Sequence, residues 1–315
     1  MIGGGVLEKK YFSVENDGFY GCYYPHPKNK KHVLIGMLGD AVDDHMAVSF
    51  VKWLMEKGCG VLAMSPAKKD YSHHNLPLER FEAAINWLKS QGVEKIAIAG
   101  ASTTGMLALV VASRYPDISL TLAMTPSDFV MEGYYKGKRD GAKEWPGEGE
   151  STVSYQGQPL PYLPYAYRHP DYWNKVMVYS KKTKNMIASR MLFEDSEKIH
   201  PLTEEQMIKV ENIQGKVVFV GAEDDCMWDT CRYIRRMKER LSDKGASVDA
   251  EYLLYDHGTH FVFPEGMMRK TVPLVSGLFV KLCFKAARDF PKECKQTRMD
   301  IDRNLSRIIK EWIES

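Results

Sequence analysis

Ile96-Ala97-Ile98-Ala99-Gly100-Ala101-Ser102-Thr103-Thr104-Gly105 is an apolar run that breaks at a small-residue turn and passes into a helical stretch. A strand that ends in Gly-x-Ser ahead of a helix holds a serine hydroxyl on a strained turn, where the neighbouring residues must be small. Gly100 and Ala101 meet that need before the serine. The second glycine of the usual pattern, two positions beyond the serine, is replaced by Thr104, and Gly105 follows one residue late. The string alone is a weak signal, so the partners have to come from the rest of the chain.

Working outward, the chain alternates apolar runs with helical patterns. Tyr11–Val14 and Phe19–Tyr24 flank Glu15-Asn16-Asp17-Gly18, a hairpin signal. His32–Leu38 reads as a buried strand, followed by an acidic loop, Gly39 to Asp44, and a helix to about Lys57 closed by Gly58. Gly60–Met64 is the next strand. Leu78, Phe81, Ile85 and Leu88 then recur on one helical face, with Pro77 in the first turn and Gly92 at the end. Lys95–Ala99 leads into Ser102, Met106–Tyr115 continues as helix, and Leu120–Met124 is a further strand. Strand, helix and strand in alternation predict an α/β fold, a mostly parallel sheet with helices on both faces.

From about Pro126 to Asn212 the alternation stops, and tyrosine, tryptophan and proline become frequent, with Tyr162, Tyr165, Tyr172 and Trp173 among them. So long a stretch is not expected to be plain loop. It reads as a cap, residues 126–212, inserted into a single domain that spans residues 1–315. Most of its aromatics are expected to form the cap's own core, with two or three lining a substrate pocket. Alternation resumes with Lys216–Val220, a helix over Thr230–Lys244, the strand Asp249–Tyr255 and a final helix carrying Ile301, Leu305, Ile308 and Trp312.

The composition is that of an ordinary globular protein of 315 residues, 44% hydrophobic and 27% charged. A formal charge of +2 gives no reason to expect nucleic acid or a membrane surface as the main partner. No apolar stretch approaches the ~20 residues of a bilayer span, and the N-terminus lacks an apolar signal core. The six cysteines are scattered with no metal spacing, so free thiols, a cytoplasmic location and no metal or other cofactor are expected.

A nucleophilic serine needs a base, and the base needs a carboxylate to orient it. Both occur after later strands, in the order Ser, acid, His. Gly221-Ala222-Glu223-Asp224-Asp225-Cys226-Met227-Trp228 follows one strand, and Asp256-His257-Gly258-Thr259-His260 follows the next. All three loops then converge at the carboxyl edge of the sheet. His260 is the expected base because Gly258 and Thr259 allow a tight turn, with His257 as its competitor. Glu223, Asp224 and Asp225 are adjacent candidates for the acid. The backbone N–H of Thr103 and that of Asp40 are the expected oxyanion donors.

These residues carry a resemblance. Asp225-Cys-Met-Trp228, Tyr233, Arg240-Leu241, Gly245, Tyr255 and Gly258-Thr259-His260 resemble the C-terminal domain of the acyl-CoA thioesterase and bile acid-CoA:amino acid N-acyltransferase family, over about residues 32–265. The resemblance implies an α/β-hydrolase fold, with the nucleophile at Ser102 and the histidine at His260. Matched on Trp228, the family's aspartate falls on Asp225; matched on the preceding glycine, it falls on Asp224. About thirty residues stand before the sheet, so the β-sandwich that precedes this domain in the animal enzymes has no counterpart in the resemblance.

The resulting expectation is a serine hydrolase acting through Ser102, Asp225 and His260 on a small acyl thioester or ester, most naturally an acyl-CoA. Serine in place of the acyltransferases' cysteine favours hydrolysis over transfer to an amine. Lys136, Lys138 and Arg139, or Lys181, Lys182 and Lys184, are available for coenzyme A phosphates, or are simply solvated. A carboxylesterase or small-peptide hydrolase, and a silent binding protein that keeps the fold, are the alternatives.

Overall fold

Chain order builds the main sheet from both ends of the protein. In the computed structural model, which describes residues 9–38, 41–65, 72–137, 143–168, 170–273 and 276–315, the chain opens with β1 (Lys10–Phe12), α1 (Val14–Asp17) and β2 (Gly21–Tyr24). The expected hairpin is present as an antiparallel pair. Its connection is one helical turn, because Ser13 accepts the Asn16 N–H as an N-cap and withdraws Ser13 and Val14 from the strand. There follow β3 (His32–Met37), α2 (His45–Met55), β4 (Gly60–Met64), the short strands β5 (Ser72–His73) and β6 (Leu76–Pro77), α3 (Glu79–Ser90), β7 (Lys95–Ala101), α4 (Thr103–Arg114) and β8 (Ile118–Met124). Pro77 thus lies in β6, just before α3 and not in its first turn.

Beyond β8 come β9 (Glu132–Gly137), β10 (Lys143–Ser151), β11 (Val153–Tyr155), β12 (Gln158–Pro159), α5 (Asp171–Thr183) and α6 (Arg190–Ile199). The chain then returns to β13 (Lys216–Ala222), α7 (Thr230–Asp243) and β14 (Ala250–Tyr255). It ends with α8 (Glu265–Thr271), α9 (Ser276–Cys283), α10 (Lys285–Asp289) and α11 (Pro291–Glu314).

Eight strands form one sheet in the order β1-β2-β4-β3-β7-β8-β13-β14. From β4 to β14 every pairing is parallel, and β1 and β2 are added antiparallel at one edge. The period-2 alternation of side chains divides each apolar strand between two cores. Val33, Ile35, Ile96, Ile98, Val217 and Phe219 face α3, α4 and α7. Leu34, Val61, Ala97, Leu120, Val218 and Val220 face α2, α8 and α11, where Trp53, Ile301, Leu305, Ile308 and Trp312 close the layer. Both faces are covered, which is why these strands read as continuous apolar runs.

The segment between β8 and β13 contains two small sheets. β9 pairs with β10 and with β5, and β11 pairs with β12 and with β6. Residues 72–77, which precede α3, therefore belong to this layer. Ionic contacts fasten the segment to the main body. Arg236 of α7 holds the fully buried Asp128 through two bonds of 2.6 Å, and burial pushes that carboxyl up to about 6 against the pull of the guanidinium. Glu197 of α6 accepts from Arg232, Arg236 and Tyr233, all on α7. No helix among the described residues is long and apolar enough to cross a membrane.

Candidate active site

Ser102 stands between the end of β7 and the start of α4, at φ 61° and ψ −130°. A non-glycine residue held at positive φ carries a strain of roughly 1–3 kcal/mol that the surroundings must hold in place. Glycine is needed around it for lack of space. A Cβ on Gly100 would lie 2.1 Å from Thr104 O, and one on Gly105 would lie 2.5 Å from Met124 O. Gly105 is therefore the glycine that lets α4 press against β8. Thr104 takes the ordinary glycine position and uses its hydroxyl to clamp the turn, accepting from Ala101 N at 3.0 Å and lying 2.9 Å from Met37 O at the end of β3. The variant elbow is thus stapled to the neighbouring strand.

Thr125, one residue past β8, and Thr259, one residue before His260, also have positive φ, 44° and 64°. Three strained non-glycine residues beyond the carboxyl ends of β7, β8 and β14 mark this edge independently of any motif. Thr125 joins the loops. Its Oγ1 accepts from Ser102 N at 3.2 Å, its carbonyl accepts from Trp228 Nε1 at 3.1 Å, and its N–H donates to Val220 O.

After β13, Asp225 has its side chain wholly buried and its Oδ2 lies 2.8 Å from His260 Nδ1. The same carboxylate accepts from Met227 N at 2.8 Å and from Thr230 Oγ1 at 2.5 Å. A carboxylate can only accept, so Nδ1 of His260 is the donor of this bond, and in the neutral ring the lone pair lies on Nε2. That Nε2 is buried and has no hydrogen-bond partner among the described residues, Ser102 Oγ included. Bonds between nucleophile and base commonly close only around substrate.

The adjacent carboxylate serves another purpose. Asp224 accepts from Gly258 N at 3.0 Å and Thr259 N at 2.7 Å, and its Oδ2 lies 3.2 Å from His257 Nδ1. It ties the loop after β13 to the loop after β14. His257 is stacked on Phe290 at 3.7 Å between ring centroids, so it is held away from His260's position. Glu223 pairs at the surface with Arg235. Cys226 is raised by burial and then by Asp225 itself, and burial pushes Cys231 up to about 12, so both thiols stay protonated.

Thr103 is buried and opens α4, whose positive end faces the elbow. Asp40, Lys138 and Arg139 lie outside the described residues. Lys181, Lys182 and Lys184 are exposed on α5 and the turn after it. Among the described residues, no group of three or more His, Cys, Asp or Glu is placed to hold a metal.

Sequence reasoning missed Thr125, Phe193 and Arg190. An aromatic chain runs Tyr165–Phe193–Trp228–His260, with centroids 5.7, 5.2 and 4.8 Å apart. Arg190, at the start of α6, donates to Glu223 O and Asp225 O and pairs with Asp229 at 2.5 Å. Ser189 N and Arg190 N both donate to Cys226 O at 3.0 Å. None of these residues sits in a local motif, so only their position after a strand or at a helix start could have marked them.

Residues 76–266 match the family described as BAAT / Acyl-CoA thioester hydrolase C terminal. No curated protein matches the chain. Among solved structures, one assigned as a dienelactone hydrolase from Klebsiella pneumoniae subsp. pneumoniae MGH 78578 is 10% identical, covering 96% of this chain and 97% of that one with a TM-score of 0.52. MGS-M1, an alpha/beta hydrolase enzyme from a Medee basin deep-sea metagenome library, is 13% identical over 93% and 98% of the two chains, TM-score 0.49. The Pyrococcus furiosus esterase Pf2001 is 14% identical over 79% and 86%, TM-score 0.46. At these identities the likeness concerns the fold, which is that of the α/β hydrolases.

Proposed function

The chain belongs to the BAAT / acyl-CoA thioester hydrolase C-terminal family, and from that premise we propose that this α/β hydrolase is a serine enzyme that cleaves acyl-CoA thioesters through an acyl-enzyme. The observation that carries the reading is the buried Asp225–His260 hydrogen bond of 2.8 Å, linked through Trp228 and Thr125 to a serine at positive φ.

In this mechanism Ser102 Oγ attacks the thioester carbonyl while His260 Nε2 takes its proton. Asp225 stays ionised and holds the imidazolium that forms. The negative oxygen is met by the N–H of Thr103, at the positive end of α4, and by that of Asp40. The carbon–sulfur bond breaks, the thiolate leaves with the proton from His260, and water then attacks the ester with His260 again as base. Both transfers need the lone pair on Nε2 at the outset, and the Nδ1–Asp225 bond selects that tautomer of the neutral ring. A serine ester is less open to amines than a thioester, which favours water as the acceptor. The segment 126–212 acts as the cap over this edge, and its Phe193, backed by Tyr165, packs on the Trp228 ring that touches His260.

The test is turnover of a panel of acyl-CoAs beside p-nitrophenyl esters, with fluorophosphonate labelling of wild type and Ser102→Ala. Hydrolysis of acyl-CoA and labelling that depends on Ser102 are expected. Ester hydrolysis with none on any acyl-CoA would make the protein a carboxylesterase, and labelling of Ser102→Ala would remove the serine mechanism.

A further inference from the structure

The turn that follows α5 meets the end of α9, and large apolar side chains are exposed on both helices and on that turn. Val178 is 68% exposed, Met186 60%, Leu278 55% and Leu282 66%. The two elements are stitched together: Met186 N donates to Cys283 O at 2.8 Å, Lys285 N to Asn185 Oδ1 at 2.7 Å, and Arg288 to the carbonyls of Lys281 and Lys184. Leu278 and Leu282 are one turn apart on α9, so they project side by side.

Positive charge is concentrated on the same elements. Residues 171–184 and 277–290 together carry seven lysines and arginines against Asp171 and Asp289, although the whole chain has a formal charge of only +2. One of the two acids is neutralised locally, since Asp289 is paired with Lys285. The face is also continuous with the histidine loop. Phe279 of α9 stacks on Phe261, the residue after His260, with centroids 6.1 Å apart.

From this juxtaposition we infer that the α5–α9 face docks on an anionic lipid surface. Exposed apolar side chains interspersed along the chain with lysine and arginine match both layers of such a surface. The apolar groups enter the acyl boundary and the cations stay among the phosphates. A second copy of the chain fits the face less well. A two-fold contact would press the same cationic set against itself, with little acid to offset it. Docked this way, the enzyme stands with the loop of His260 beside the pool from which acyl chains partition.

Co-sedimentation of the full chain with vesicles tests this without any turnover, so its failure is separate from failure of the thioesterase reading. Phosphatidylcholine vesicles containing phosphatidylglycerol should bind the protein, neutral phosphatidylcholine vesicles should not, and salt should weaken the binding. Lys281→Gln should weaken it about fivefold. Leu282→Ser and Val178→Ser together should weaken it at least about tenfold. The two apolar changes lie on separate helices, so either alone serves if the other fails to fold, and hydrolysis of a soluble short-chain substrate should be unchanged. Absence of binding to both vesicle types, or equal binding to both, overturns the inference. A wild-type dimer that Leu282→Ser converts to monomer assigns the face to a second copy instead.

Discussion

Trp228 donates its indole N–H to the backbone carbonyl of Thr125 across 3.1 Å, and the same ring meets His260 edge-to-face at 4.8 Å. One tryptophan therefore touches the imidazole and anchors itself to the residue whose hydroxyl accepts the Ser102 N–H. The loops after β7, β8, β13 and β14 are braced through this pair.

Trp228→Phe keeps most of the ring and removes the donor. A buried carbonyl left unpaired costs about 1–3 kcal/mol. The variant should melt lower and lose kcat with little change in KM, because the ring still fills the space while its position relaxes. Steady-state kinetics beside a thermal melt checks this; a kcat equal to wild type would dismiss the brace.

The two neighbouring aspartates should separate on substitution by asparagine. Asp225→Asn can donate to Nδ1 and so stabilises the wrong tautomer of His260, for which a fall in kcat of about 10⁴-fold is the precedent. Asp224→Asn retains an oxygen able to accept from Gly258 N and Thr259 N, and should be mild. The reverse ranking would make Asp224 the orienting acid.

At the elbow, Thr104→Ser preserves the clamp between Met37 O and Ala101, whereas Thr104→Val removes it. Valine should cost about 1–2 kcal/mol of stability and lower the fraction of protein labelled by a fluorophosphonate, and serine should do neither. Gly105→Ala is the harsher change, since its Cβ meets Met124 O at 2.5 Å. A loss of about 1–3 kcal/mol is expected, read from denaturant melts.

Glu197 gives the fold a pH dependence of known sign. Burial raises its carboxyl, but the bonds from Arg232 and Arg236 outweigh burial and hold it below the usual carboxylate range. Its contribution to stability is therefore complete above the unfolded value, about 4.3, and is lost as pH falls through the lower folded value. Glu197→Gln should melt below wild type at neutral pH, and the gap should narrow as the solution is acidified below about pH 4. A gap that stays constant across that range would mean the ion pairs carry no net stabilisation.

Much of the main sheet was legible because its strands are buried on both faces and its helices on one, so periodicity reports them directly. The short helical turn at Val14–Asp17 and the pairing of β5 and β6 with β9 and β11 were not legible. The first depends on a single cap bond from Ser13, and the second on partners 60 or more residues away in sequence. Arg190 and Phe193 were hidden for the same reason. Nothing near them in the chain announces that α6 will lie against the acid-bearing loop.

The chain by itself determined the parallel sheet, the Gly100-Ala101-Ser102 turn and the order serine, acidic loop, histidine, because these depend on local periodicity, small residues and position after a strand. The tertiary structure decided which carboxylate faces which histidine. Asp224 and Asp225 differ by one peptide unit. Their side chains diverge because Met227 N and Thr230 Oγ1 turn Asp225 toward His260, while the amides of Gly258 and Thr259 capture Asp224. Those donors come from two loops brought together only by the parallel register of β13 and β14.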